Sequence, residues 1–234
     1  MVKNELIQRS PLRLLEKSIR GGLGDGNIGI IAARKGTGKT ACLVHIATDQ
    51  LFQNKHVIHL SFAGRTDHII SWYEDIFKEI AKKRELEAAM DVHDEIIKNR
   101  VIMNFNQDGV TAEQMMRSLH ALVDSGGFSA DVIIVDGYDF ETGDPAAISA
   151  IRDFASEHAL NVWFSASTHR EDPSVDEHGV PTVLVPYIDN VAVLITLTPE
   201  TDHLKLRLVK DHDQYRPEDL HLELDSKTLL IREE

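Results

Sequence analysis

The chain has 234 residues, 42% hydrophobic and 27% charged, which suits one large α/β domain with a well-buried core. Its formal charge of −13 argues against nonspecific nucleic-acid binding, which needs Lys and Arg to neutralise phosphates, although a local basic strip is not excluded. No apolar run approaches the length of a membrane span, residues 1–11 hold no signal-peptide core, and the single cysteine, Cys42, leaves no internal disulfide. The expectation is a cytoplasmic protein in which Cys42 is a small core residue and not a reactive thiol.

Residues 3–20 distribute Leu6, Leu12, Leu14, Leu15 and Ile19 around a helical or partly helical arm, which the glycine-rich stretch 21–26 breaks. Residues 1–26 are therefore read as an arm ahead of a single domain, 27–234. The apolar run Ile28 to Ala33 predicts a buried strand, and residues Lys39 to Phe52 predict a helix. Between them lies Ala33-Arg34-Lys35-Gly36-Thr37-Gly38-Lys39-Thr40. Strand, glycine-bearing turn, Gly-Lys-Thr and helix form the context of a phosphate-binding loop. Such a turn exposes successive backbone N–H groups, and the helix N-terminus adds its positive dipole end. Arg34, Lys35, Gly36, Thr37, Gly38, Lys39, Thr40 and Ala41 are the candidate nucleotide cradle. Lys39 would reach the β- and γ-phosphates, and Thr40 would offer its hydroxyl to Mg²⁺. Ala33 stands where the usual pattern opens with Gly, a change tolerated if the local φ is negative.

His56 to Phe62 predicts the second strand. The spacing of His56 and His59 points their imidazoles to opposite faces and argues against a metal site. A loop follows, ending at an N-cap, Thr66 or Asp67. Residues 67–99 read as helical and solvated, with a break near Asp91. Val101 to Phe105 is the third strand. Thr111-Ala112-Glu113-Gln114 resembles a capping box opening a helix that runs to about Ser125, where Gly126 and Gly127 stop it. The β-branched run Val132 to Val135 predicts a central parallel strand with Asp136 at its C-terminal end, the edge where ligands bind in open α/β sheets. Asp136 would hold Mg²⁺ through water while Thr40 holds it directly; the alternative is an acid that caps the turn Gly137-Tyr138-Asp139. A helix from Pro145 to His158, a fifth strand from Leu160 to Thr168 and a polar loop, 169–181, come next. Three or four short strands close the chain as antiparallel hairpins, within Asn190 to Leu197, Leu204 to Lys210, Leu220 to Leu224 and Thr228 to Ile231.

These residues carry a resemblance. The glycine-rich stretch before the first strand, the run into Gly38-Lys39-Thr40, the strand ending in Asp136, and Ser165 to Arg170 after the fifth strand occur in the order seen in RecA-like P-loop ATPases. The chain resembles most the core shared by DnaB-type replicative helicases and KaiC-type ATPases. The resemblance covers roughly Arg13 to Leu230. It implies a three-layer α/β fold with a mainly parallel twisted sheet, ATP and Mg²⁺ at the sheet's C-terminal edge, and a homo-oligomer, expected to be a hexamer, with ATP between subunits. The arm has enough apolar residues to dock on a neighbour or to fold back on its own domain.

The departures bear on activity. The family's water-orienting glutamate after the second strand is replaced by Ala63 and Gly64, and the glutamate that many P-loop ATPases place after the magnesium aspartate is replaced by Gly137. Ser167, with His169 nearby, stands at the γ-phosphate-sensing position. The late Lys-x-Arg pair becomes Lys210-Asp211-His212. Lys39, Ser167 and Lys210 are thus the candidate catalytic residues, with Asp67, Asp139 and Glu141 as conceivable substitutes for the acid. An arginine finger alone is worth roughly 10³–10⁵ in rate, so nucleotide binding should survive while hydrolysis falls. The expected function is a nucleotide-dependent regulatory or assembly protein with weak ATPase activity and an unidentified protein partner. The alternative is a motor of the hexameric helicase type. Four acids and one arginine between Arg170 and Gly179 oppose a nucleic-acid partner. A small-molecule kinase is a third reading, weakened because Arg170 is the only arginine near the loop.

Overall fold

The structure is a computed structural model and describes residues 6–62, 66–83, 89–105, 112–168 and 174–234. Its elements are α1 (Leu12–Ser18), β1 (Ile28–Arg34), α2 (Lys39–Phe52), β2 (Val57–Ser61), α3 (Thr66–Lys83), α4 (Ala89–Ile97) and β3 (Arg100–Asn104). They continue with α5 (Ala112–His120), β4 (Val132–Asp136), α6 (Pro145–Glu157), β5 (Asn161–Thr168), a 3₁₀ helix (Thr182–Asn190), β6 (Val193–Pro199), β7 (His203–Asp211), β8 (Gln214–Asp225) and β9 (Ile231–Glu233). The strands form one nine-stranded sheet in the order β3-β2-β4-β5-β1-β6-β7-β8-β9. β3 through β6 in that order are parallel, and β6 to β9 pair antiparallel. The chain is therefore an α/β protein with a mostly parallel sheet and late antiparallel hairpins.

Alternation along each strand sends side chains into two cores, one on each face. Ile31, Ile134 and Trp163 pack with α2 and α3, whereas Ile30, Ile133 and Phe164 pack with α5, α6 and the 3₁₀ helix. Gly29, beside Trp163 in the register, leaves room for the indole: a Cβ there would lie 2.6 Å from two ring carbons. The arm folds back on its own domain. Leu6, Leu12, Leu15 and Ile19 join the α2 core, Arg13 pairs with buried Asp49 of α2, and Arg20 lies 3.3 Å from Asp211. Among the described residues, no helix is long and apolar enough to cross a membrane.

Several expected boundaries move. Thr66 is already helical, so it is not the N-cap, and Asp67 lies in the first turn of α3, where the helix dipole favours an acid. α4 runs through Asp91, and residues 84–88, just before it, lie outside the described residues. The helix expected to reach Ser125 is α-helical only to His120; Ala121–Ser125 widen into a π-turn before Gly126. Thr111 of the expected capping box lies outside the described residues. The 3₁₀ helix occupies a stretch to which the sequence reading assigns no element before the strand expected from Asn190. β8 begins at Gln214, not Leu220: the polar run 214–219 reads as loop, yet it pairs with β7 across a turn where His212 has φ 54°. A bulge then places Arg207 opposite Asp219 and Leu206 opposite Leu222, with His221 at φ 52°. β6 is antiparallel only to β7, its other neighbour β1 being parallel. β9 starts at Ile231 because the Asp225 carboxylate accepts the N–H groups of Lys227 and Thr228 and holds that stretch in a turn.

Candidate functional site

The site forms where β1 gives way to α2. Ala33 keeps a negative φ and is the last buried residue of the strand, so no glycine is required there. The chain then reverses through Gly36 (φ 80°) and Gly38 (φ 86°). At Gly38 the constraint is twofold, since a Cβ would lie 2.5 Å from Leu224 Cδ2. The Thr37 hydroxyl donates to the Arg34 carbonyl at 2.6 Å and closes the turn. The backbone N–H groups of residues 35–38 donate to no group among the described residues, and those opening α2 lack partners by helix geometry. The result is a concave run of N–H donors at a helix N-terminus.

The Lys39 ammonium folds over this turn and donates to the carbonyls of Ala33 (3.1 Å) and Arg34 (2.9 Å). It is 8% exposed; burial pushes its pKa down, and nearby Asp136 opposes that shift. Thr40, the next residue, donates its hydroxyl to Asp136 Oδ2 at 2.8 Å. The other carboxylate oxygen of Asp136 accepts from the Ser165 hydroxyl at 2.7 Å, and Ser165 accepts the Gly137 N–H at 2.9 Å. Asp136 therefore does not cap the following turn. Asp139 does, accepting from the Glu141 N–H and the Thr142 hydroxyl, which holds its carboxyl below the usual range. A hydroxyl and a carboxylate in contact at the mouth of a donor-lined turn suit Mg²⁺, a hard cation that keeps several waters and takes its remaining ligands from phosphates.

Ser167 lies exposed at the end of β5, opposite Ala33 in the register and two residues beyond Ser165 on the same face. Ser165 was missed. Period-two alternation could have found it, because it is a polar residue two positions inside Ser167, on the same face, within the buried part of β5. Lys210 is at the opposite edge of the sheet. Its ammonium donates to the carbonyls of Ile188 and Val191, both at 2.7 Å, and closes the end of the 3₁₀ helix. To serve a neighbour's phosphate it would have to leave both. His212 accompanies Asp211, 2.7 Å away, in the β7–β8 turn.

Of the places where a catalytic glutamate was sought, Ala63 and Gly64 lie outside the described residues, as do His169 and Arg170. Gly137 has φ 87°, a conformation in which a glutamate would be strained. Asp67 is exposed in the first turn of α3. Cys42, one turn into α2, is fully buried, and burial pushes its thiol up to about 12, so it is inert. His56 and His59 do not converge on an ion. His56 approaches Asp131 at the start of β2, whereas His59 is buried with Nδ1 3.0 Å from the Tyr73 hydroxyl.

Burial pushes the His59 imidazole down to about 4. Its folded pKa lies below the unfolded value near 6.5, so between those limits the unfolded chain binds the extra proton and stability falls as pH falls. Thermal melts from pH 7 to pH 4 should show a steep acid loss in the wild type and a shallower one in His59→Gln. Parallel curves would remove His59 as the cause.

Compared with known proteins, the chain matches no protein-family model and no curated protein sequence. The fold and the site together define an α/β protein with a Lys–Thr–Asp constellation at the C-terminal edge of parallel strands.

Proposed function

We propose that the chain is a RecA-like P-loop protein that binds Mg²⁺-ATP between β1 and α2, hydrolyses it slowly, and serves as a nucleotide-dependent regulatory or assembly protein. The observation that carries this reading is the meeting of Thr40 with Asp136, 96 residues apart in sequence and 2.8 Å apart in space, directly beside Lys39. Two residues of a helix N-terminus and a strand-end acid converge on a place where backbone donors stand free. The N–H groups of residues 35–40 would cradle the β- and γ-phosphates. Lys39 would exchange two carbonyls for phosphate oxygens. Thr40 would ligate Mg²⁺, and Asp136, oriented by Ser165, would hold one of the ion's waters. The ion's contribution is to neutralise charge on the phosphates.

Slow turnover follows from what surrounds the site. Phosphoryl transfer depends on a group that positions the attacking water. Gly137 carries no such group, and Asp139 is committed to its own turn. The acids Asp176 and Glu177 in the loop after β5 favour a protein partner over nucleic acid.

Titration calorimetry of the intact chain should give one saturable Mg²⁺-ATP site per molecule. Phosphate release should run at about one turnover per minute or less, against roughly 1–10³ s⁻¹ for typical enzymes. No saturable heat would overturn the binding, and several turnovers per second would overturn the slow chemistry.

A further inference from the structure

A cavity of about 820 Å³ opens at the same sheet edge, on the face away from Asp136. Strand alternation fixes that placement. Asp136 and Ser165 share the parity of Ile134 and Trp163, which pack toward α2. Arg34, Thr168, Thr196 and Thr198 share the parity of Ala32, Ala166 and Leu194, which pack toward α6 and the 3₁₀ helix. The C-terminal ends of three adjacent parallel strands, β5, β1 and β6, thus present one guanidinium and three hydroxyls as a floor. The roof is apolar and includes Val183 and Tyr187. Tyr187 fixes it by donating to the Gly143 carbonyl at 2.7 Å.

The charge of this cavity differs from that of the chain. The Arg34 guanidinium has no ion-pair or hydrogen-bond partner among the described residues, in a protein of net charge −13. Glu141 also lines the cavity, so the lining holds one cation and one acid. A volume of this size takes a whole small molecule, and sites of this kind combine apolar walls with a few polar groups that orient the ligand. The geometry points to a binding site for a small organic anion with an apolar body, its carboxylate or sulfonate on Arg34 and the threonine hydroxyls, its body under the roof. The site goes beyond the nucleotide reading and does not depend on it. The phosphate cradle lies across the strand ends, and the two places share only Ala33 and Arg34, whose carbonyls hold Lys39.

The probe is 8-anilinonaphthalene-1-sulfonate, an aromatic anion whose fluorescence rises in apolar surroundings. The intact chain should bind one equivalent, and decanoate should displace it while decanol does so poorly. Arg34→Gln, at an exposed position, should weaken the probe about tenfold or more, as expected for loss of a charge-assisted contact. Thr196→Phe fills the cavity from a strand position suited to aromatics and should abolish binding, with circular dichroism confirming the fold. Saturating Mg²⁺-ADP should leave the probe in place. Unchanged affinity in both variants would overturn the proposal. So would one-for-one displacement by ADP, which would make the cavity part of the nucleotide site. Failure of ADP to bind at all would defeat the nucleotide reading and leave this one standing.

Discussion

Replacing Lys39 with alanine should lower Mg²⁺-ATP affinity at least tenfold, about 1.4 kcal/mol, in titration calorimetry. The ammonium stands beside Asp136, where it would offset part of the repulsion between that carboxylate and a bound triphosphate. The loss will not come from unfolding. Burial disfavours the charged amine, so its removal relieves a desolvation cost while leaving two backbone carbonyls to be solvated. The melting temperature of Lys39→Ala should therefore stay close to that of the wild type. Equal affinity in the two proteins would remove Lys39 from the site.

Gly29→Ala should destabilise the fold by about 1–3 kcal/mol, the usual cost of overpacking a core. The added methyl meets Trp163 at 2.6 Å, and the indole, only 4% exposed, would have to shift. The backbone of Gly29 is an ordinary strand conformation, so the penalty is steric and should depend on the indole. Urea denaturation of Gly29→Ala in a Trp163→Leu background tests this. The penalty should shrink there, and a penalty of the same size in both backgrounds would mean that the ring is not its source.

The centre of the fold was legible because local and global signals agree there. The run Ile28 to Ala33 is apolar on both faces, the glycines punctuate it, and Gly-Lys-Thr opens the helix, so β1 and α2 fall where the sequence places them. The contact between Thr40 and Asp136 follows from the same logic, since both stand at the same edge of parallel strands. What escaped depends on distant partners. The first half of β8 is polar and holds Pro217, and only pairing with β7 makes it a strand. Alternation along β5 can single out Ser165, but its role rests on the contact of its hydroxyl with Asp136. Whether the arm exchanges or folds back is not written in Leu6 to Ile19; it is decided by Asp49 and the α2 core that receive it.

The turn at Gly38 leans on Leu224, and the Ile231 N–H donates to His45 Nδ1 of α2 at 3.0 Å across 186 residues of sequence. During synthesis, β1 and α2 leave the ribosome long before the strands that brace them. Contacts of such sequence separation form late, after most of the loop-closure entropy has been spent. A nascent chain halted after β5 already holds Lys39, Thr40 and Asp136, yet lacks the wall that seats the turn. On the proposed reading, the turn would thus become competent to hold a nucleotide only after β8 and β9 have been made, long after the residues that touch the ligand.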